Sequence, residues 1–144
     1  MAKQFNLSPM EKHSLRYSRV PGEFAVCRLA GDSAIPGWAL RGELFSVTRT
    51  ADELSIVCPA DQVPDDVKFE GGWACFKLEG PFPFALTGIL SSFIAPLAEA
   101  KIPIFAISTF DTDYVLVKGV DLERAEKALR EAGHKMLVRD GAAH

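Results

Sequence analysis

The chain has 144 residues, 48% of them apolar and 24% charged, with a net charge of −3 at pH 7. A globule of this length buries roughly 70% of its unfolded surface, so a folded core is expected. No apolar stretch is long enough to cross a bilayer or serve as a signal peptide, and Lys and Arg are not clustered as nucleic-acid phosphates require, so a soluble cytoplasmic protein is expected, without membrane or nucleic-acid partners.

Residues 1–22 hold Pro9, Pro21 and Gly22 and show no sustained periodicity; they read as a lead-in segment, with Ser8-Pro9-Met10-Glu11 starting a short helical turn. Glu23 to Leu29 reads as a strand, Gly31-Asp32-Ser33 as a turn, and Ile35 to Leu40 as a helix cut short by its glycines and Pro36. Strands follow at Leu44 to Thr48 and Glu53 to Cys58, then a short helix or turn over Pro59 to Val67 and a brief edge strand at Lys68 to Glu70.

A second unit repeats this order more fully. Trp73 to Leu78 is a strand, and the Gly80-Pro81-Phe82-Pro83 loop cannot be helical. From Leu86 onward Ile89, Leu90, Phe93, Ile94 and Leu97 recur at helical spacing on one face that a sheet must cover. Pro96 lies inside that pattern and removes one ladder hydrogen bond, which predicts a kink or loosened turn near Ser92 at a cost of up to about 3 kcal/mol. Ile104 to Thr109 and Tyr114 to Lys118 form a hairpin around Phe110 to Asp113. Asp121 is the expected cap of a last helix through Ala132, with Leu122, Ala125, Leu129 and Ala132 as its buried stripe, Glu123–Lys127 and Glu126–Arg130 as i,i+4 pairs, and Gly133 at C′. Lys135 to Arg139 is the final strand.

The two units align as an internal repeat. Phe45 to Val57 matches Phe105 to Val117 without a gap, and Phe24 to Gly31 matches Trp73 to Gly80, in the same order. The fold class expected is α+β: two tandem ferredoxin-like βαββαβ units, with antiparallel sheets and helices packed on one face, covering residues 23–71 (shortened first helix) and 72–144.

Cys27, Cys58 and Cys75 are widely spaced in apolar strand-like runs with no CxxC, and read as buried, reduced thiols. His13, His134 and His144 are scattered, and none sits where a metal ligand or general base would be expected. No GxSxG elbow, HExxH, P-loop or dinucleotide fingerprint occurs, so no catalytic residue, metal or cofactor is assigned.

With its Gly-containing loop ahead of the first helix and its Ser/Thr/Asp hairpin, the tandem arrangement resembles the ACT domain. Leu86-Thr87-Gly88-Ile89-Leu90 and Ile107-Ser108-Thr109-Phe110-Asp111-Thr112-Asp113-Tyr114 are similar to stretches of the CASTOR arginine sensors and of aspartate kinase regulatory domains. The resemblance implies an amino-acid ligand bound where two ACT units meet, no chemistry on that ligand, a homodimer, and a separate polypeptide as the regulated partner. The ligand-binding candidates are Leu86, Thr87, Gly88 and Ile89 at the helix start, where amides from Ala85 to Gly88 would hold a carboxylate, and Ser108, Thr109, Phe110, Asp111 and Asp113 on the hairpin, where acceptors would hold an ammonium. Asp111 and Asp113 fit equally well as plain hairpin residues, since Asp bonds its own backbone in tight turns. A ligand-free assembly module of the same fold is the alternative.

Overall fold

A computed structural model describes residues 13–83 and 85–138. Seven strands, β1 (Arg16–Ala30), β2 (Ser46–Arg49), β3 (Glu53–Pro59), β4 (Lys68–Leu78), β5 (Ile104–Ser108), β6 (Asp113–Lys118) and β7 (Lys135–Met136), form one sheet in the order β2-β3-β1-β4-β6-β5, with β7 against β1. Two helices, α1 (Ile89–Glu99) and α2 (Leu122–Glu131), complete the α+β fold, and the first repeat has only short 3-10 turns at Gly37–Leu40 and Ala60–Gln62 in their place.

The two repeats share strands rather than forming separate sheets. β1 and β4 each run through a Gly-containing irregularity, and the register between them slips between Val20 and Phe24. Beyond that slip, Phe24–Ala30 pairs with β3, and after a second shift Val26–Arg28 pairs with Lys68–Glu70, giving the first repeat its four-strand order. Before it, Tyr17–Val20 pairs with Cys75–Leu78 of the second repeat. The expected lead-in segment thus contributes a strand from Arg16 onward, while the helical turn expected at Ser8-Pro9 lies outside the described residues. β7 runs parallel to β1 through the pairs Arg16–Lys135 and Tyr17–Met136, so the final strand expected over Lys135 to Arg139 is present at its first two residues, while Arg139 lies outside the described residues.

Strand alternation divides the core. Tyr17, Phe76, Leu78, Val115 and Val117 meet Ile89, Phe93 and Leu97 of α1 and Ala125 and Leu129 of α2. Tyr17, Phe76 and Phe93 make a triangle of edge-to-face rings with centroids 5.2, 5.2 and 6.1 Å apart. Ala25, Cys27, Leu54, Ile56 and Cys58 continue this layer beneath the 3-10 turns, and Val20, Phe24, Val57, Trp73, Cys75 and Leu116 face the opposite side. Burial pushes the Tyr17 phenol up to about 12, with Glu126 adding to the shift, and burial likewise raises the Cys75 thiol to about 12. A hydrogen bond with Cys58, and then burial, push the Cys27 thiol up; all three cysteines are free and buried.

The last helix departs from expectation in its polar contacts. Asp121 makes no side-chain cap bond; its Oδ1 accepts instead from Arg124 Nη2 at 3.1 Å. Glu126 reaches Arg19 on β1 at 3.9 Å, Lys127 meets Glu131 at 4.0 Å, and Ala132 is exposed. Gly133 does take the left-handed C′ conformation, at φ +94°, and the His134 amide donates to Leu129 O at 3.0 Å to close the helix end.

Candidate functional site

The hairpin between β5 and β6 is held by its own hydroxyls. Ser108 and Asp113 are cross-strand partners, and Ser108 Oγ donates to Asp113 Oδ1. The Thr109 amide donates to Thr112 O at 2.8 Å and Thr109 Oγ1 to the same carbonyl at 3.1 Å, closing a turn with Phe110 and Asp111 at its exposed tip. Phe110 is 79% exposed.

Thr112 fastens this turn to the rest of the second repeat. It is buried, and its hydroxyl donates to Leu78 O at 2.7 Å, at the end of β4. The Phe82 amide donates to Asp111 O at 3.0 Å, so the loop that leads to α1 lies on the hairpin. A Cβ on Gly80 would stand 3.1 Å from Asp111 O, tighter than ordinary van der Waals contact. Thr112 was not among the expected site residues, because nothing in a Thr-rich turn marks one threonine as the buried one.

Gly88 is the N-cap of α1 at φ 83° and ψ 0°, a backbone conformation that disfavours any Cβ. Its carbonyl accepts from the Ser92 amide at 2.9 Å and from Ser91 Oγ at 3.3 Å. The amide nest expected over Ala85 to Gly88 is narrower than anticipated, since the Leu86 amide is already bonded to Pro83 O at 3.0 Å. Leu86 and Thr87 are exposed, whereas the Ile89 side chain is buried in the core. The structure therefore brings the loop and the hairpin tip together, with Gly88 at the start of α1 just beyond the loop.

Behind this helix start lies a feature that sequence reasoning treated as two unrelated details. Pro96 has no N–H to offer the Ser92 carbonyl, yet α1 runs unbroken from Ile89 to Glu99. That carbonyl accepts instead from His134 Nε2 at 2.9 Å. The other ring nitrogen, Nδ1, accepts from the Leu15 amide at 3.0 Å, which fixes a neutral ring with its proton on Nε2. His134 is only 5% exposed and its ring lies 5.4 Å from that of Phe93. His13 adds a second tether: its amide donates to Ser92 Oγ at 3.1 Å, and its Nε2 lies 3.0 Å from Thr87 O. The signal in the sequence was the carbonyl that Pro96 must orphan; its partner is 42 residues away.

The fold is thus a ferredoxin-like α+β arrangement whose second repeat carries a glycine-capped helix start and a Ser/Thr/Asp hairpin. The chain carries an ACT domain: residues 68–131 match the model of the ACT domain, and residues 22–66 match a second model described as an N-terminal domain. Protein Atu0741 from Agrobacterium tumefaciens is 45% identical, with a TM-score of 0.85 over 92% of this chain and 98% of that one. The human protein CASTOR3P is 30% identical over 95 residues; the match takes in 57% of this chain, which spans only 58% of that relative's length. The aspartate kinase of Clostridium acetobutylicum shares the fold at 16% identity and a TM-score of 0.58, covering 88% of this chain and 36% of the kinase.

Proposed function

We propose that this protein is a non-catalytic regulatory module that binds an amino acid through its second repeat, at the joint with the first, in the cytoplasm. The observation that carries the reading is the hydrogen bond from the Phe82 amide to Asp111 O, because it ties the loop that leads to the α1 amides to the turn that carries the Asp111 and Asp113 carboxylates. A zwitterion needs donors for its carboxylate and acceptors for its ammonium, and this pairing offers both. The relationship to CASTOR3P and the structural likeness to aspartate kinase regulatory regions support the same direction. The ligand contacts under this reading are Leu86, Thr87, Gly88 and Ile89 with Ser108, Thr109, Phe110, Asp111 and Asp113. A homodimer, acting on a separate regulated protein, completes the proposal. Among the described residues no helix is long and apolar enough to cross a membrane.

Thermal melting against the twenty amino acids tests this, since a ligand at a hundred times its Kd adds about 2.7 kcal/mol of stability. One responsive amino acid is expected, and Asp113→Ala should abolish its shift while leaving the free protein folded. A flat response at millimolar concentrations would sink the sensor reading. It would favour a ligand-free assembly module, for which the exposed Phe110 and the outer strand Ile104–Ser108 supply the sticky surface.

A further inference from the structure

The sheet face turned away from the helices carries a concavity of about 750 Å³. Both outermost strands line it, through Ser46 and Thr48 of β2 and Phe105 to Ser108 of β5, so the twisted sheet curls its two edges toward each other. Register orders the first-repeat side of the cavity into two rows. One runs Ser46, Val57, Val26, Glu70; the next runs Thr48, Ser55, Arg28, Lys68.

The second row is chemically unusual. Arg28 and Lys68 are direct cross-strand partners, and like charges directly opposite each other destabilise a sheet. Two hydroxyls, Ser55 and Thr48, continue the same row. Arg28 uses one N–H on Asp52 O at 2.9 Å, which leaves other guanidinium donors. Of the two acidic residues on the rim, Glu70 is engaged by Lys118 at 3.5 Å, and Glu53 lies opposite Ala30, one row further along. Val26, Val57, Phe105 and Ile107 give the cavity an apolar floor and wall.

We propose that this cavity is a ligand site for a small organic anion, with a carboxylate or phosphate head on the Arg28–Lys68–Ser55–Thr48 row and an apolar body over Val26, Val57 and Phe105. An anion between the two cations turns their mutual repulsion into two charge-assisted contacts. The site is distinct from the helix-start site above and stands without it.

Hexanoate and hexyl phosphate, titrated into the full chain, should each be read by 1H–15N spectra, with acetate and hexylamine as controls. The amides of Arg28, Ser55, Thr48 and Lys68 should move with one or both hexyl anions, less with acetate, and not with hexylamine; whichever anion binds tighter identifies the head group. Arg28→Gln with Lys68→Gln should weaken binding at least about tenfold, the scale of one lost charge-assisted contact. The thermal midpoint of that free variant should stay level or rise, because the repelling pair is gone. Thr48→Val should weaken binding less. Binding of hexylamine equal to that of hexanoate, an unchanged affinity in the double variant, no movement of these amides at millimolar anion, or sedimentation showing this face closed in a dimer that the anions do not open would each overturn the proposal.

Discussion

His134 and Pro96 should be energetically coupled, and a double-mutant cycle measures by how much. His134→Ala removes the donor to Ser92 O and the acceptor of the Leu15 amide, leaving two backbone groups without their partners in a part of the fold where His134 itself is buried. Each such orphan costs about 1–3 kcal/mol, and the lost ring contact with Phe93 adds about 1 kcal/mol, so a penalty of about 3–7 kcal/mol is expected. That is a large share of the roughly 5–15 kcal/mol that holds a domain together. In a Pro96→Ala background, residue 96 regains an amide that can donate to Ser92 O, as the ladder of α1 otherwise does. One of the two orphans then disappears. The cost of His134→Ala should fall by about 1–3 kcal/mol in that background. Urea unfolding of the wild type, both single variants and the double variant gives the coupling directly. Additivity within about 0.5 kcal/mol would show that His134 does not replace the missing helical donor, and would refute the reasoning.

Thr112→Val should cost about 1–3 kcal/mol by leaving Leu78 O unpaired, while Thr112→Ser, which keeps the donor, should cost less; urea midpoints rank the two. Gly88→Ala should destabilise by about 1–2 kcal/mol because its backbone is left-handed, and a thermal midpoint equal to that of the wild type would contradict the assigned cap. The three cysteines should stay silent to a thiol-disulfide dye in the native protein and all react after denaturation; rapid native labelling of any one would contradict their burial. The Tyr17 phenol is neutral when protonated and its pKa is raised in the fold from 10.0 to about 12, so its contribution is complete below pH 10 and is lost as pH rises through about 12. Denaturation measured between these pH values should show stability falling, and Tyr17→Phe should flatten that fall; an equal slope in the variant would assign the loss elsewhere, with Cys75 the next candidate.

What could be read from the sequence was what neighbouring residues decide. The hairpin at Phe110–Asp113, the amphipathic spacing of Ile89, Phe93 and Leu97, and the glycine stop at Gly133 each rest on local periodicity or turn chemistry, and each is where it was expected. Arg16–Val20 was missed because Pro21-Gly22 looks like a boundary and Arg19 interrupts the apolar alternation. Its partners, Cys75–Leu78 and Lys135–Met136, are distant in the chain, and no local pattern selects them. The candidate site was legible to the same degree: its loop and hairpin could be named, but the Leu86 amide is diverted to Pro83, and Thr112, which joins hairpin to sheet, is indistinguishable from its neighbours by type.

Pro96 and His134 show how a local signal and its distant partner make one contact. A proline inside a helix predicts an orphaned carbonyl, and from local rules alone the expected consequence is a kink. The helical range continues through Pro96, and the donor that the proline lacks comes from a histidine just past the glycine stop of the other helix, whose second nitrogen simultaneously caps the start of β1. A local defect in one element and an apparently idle residue beyond another are thus one tertiary contact. It ties α1, whose start forms half of the candidate site, to both ends of the described chain, so a substitution at either residue should disturb that site even though neither belongs to it.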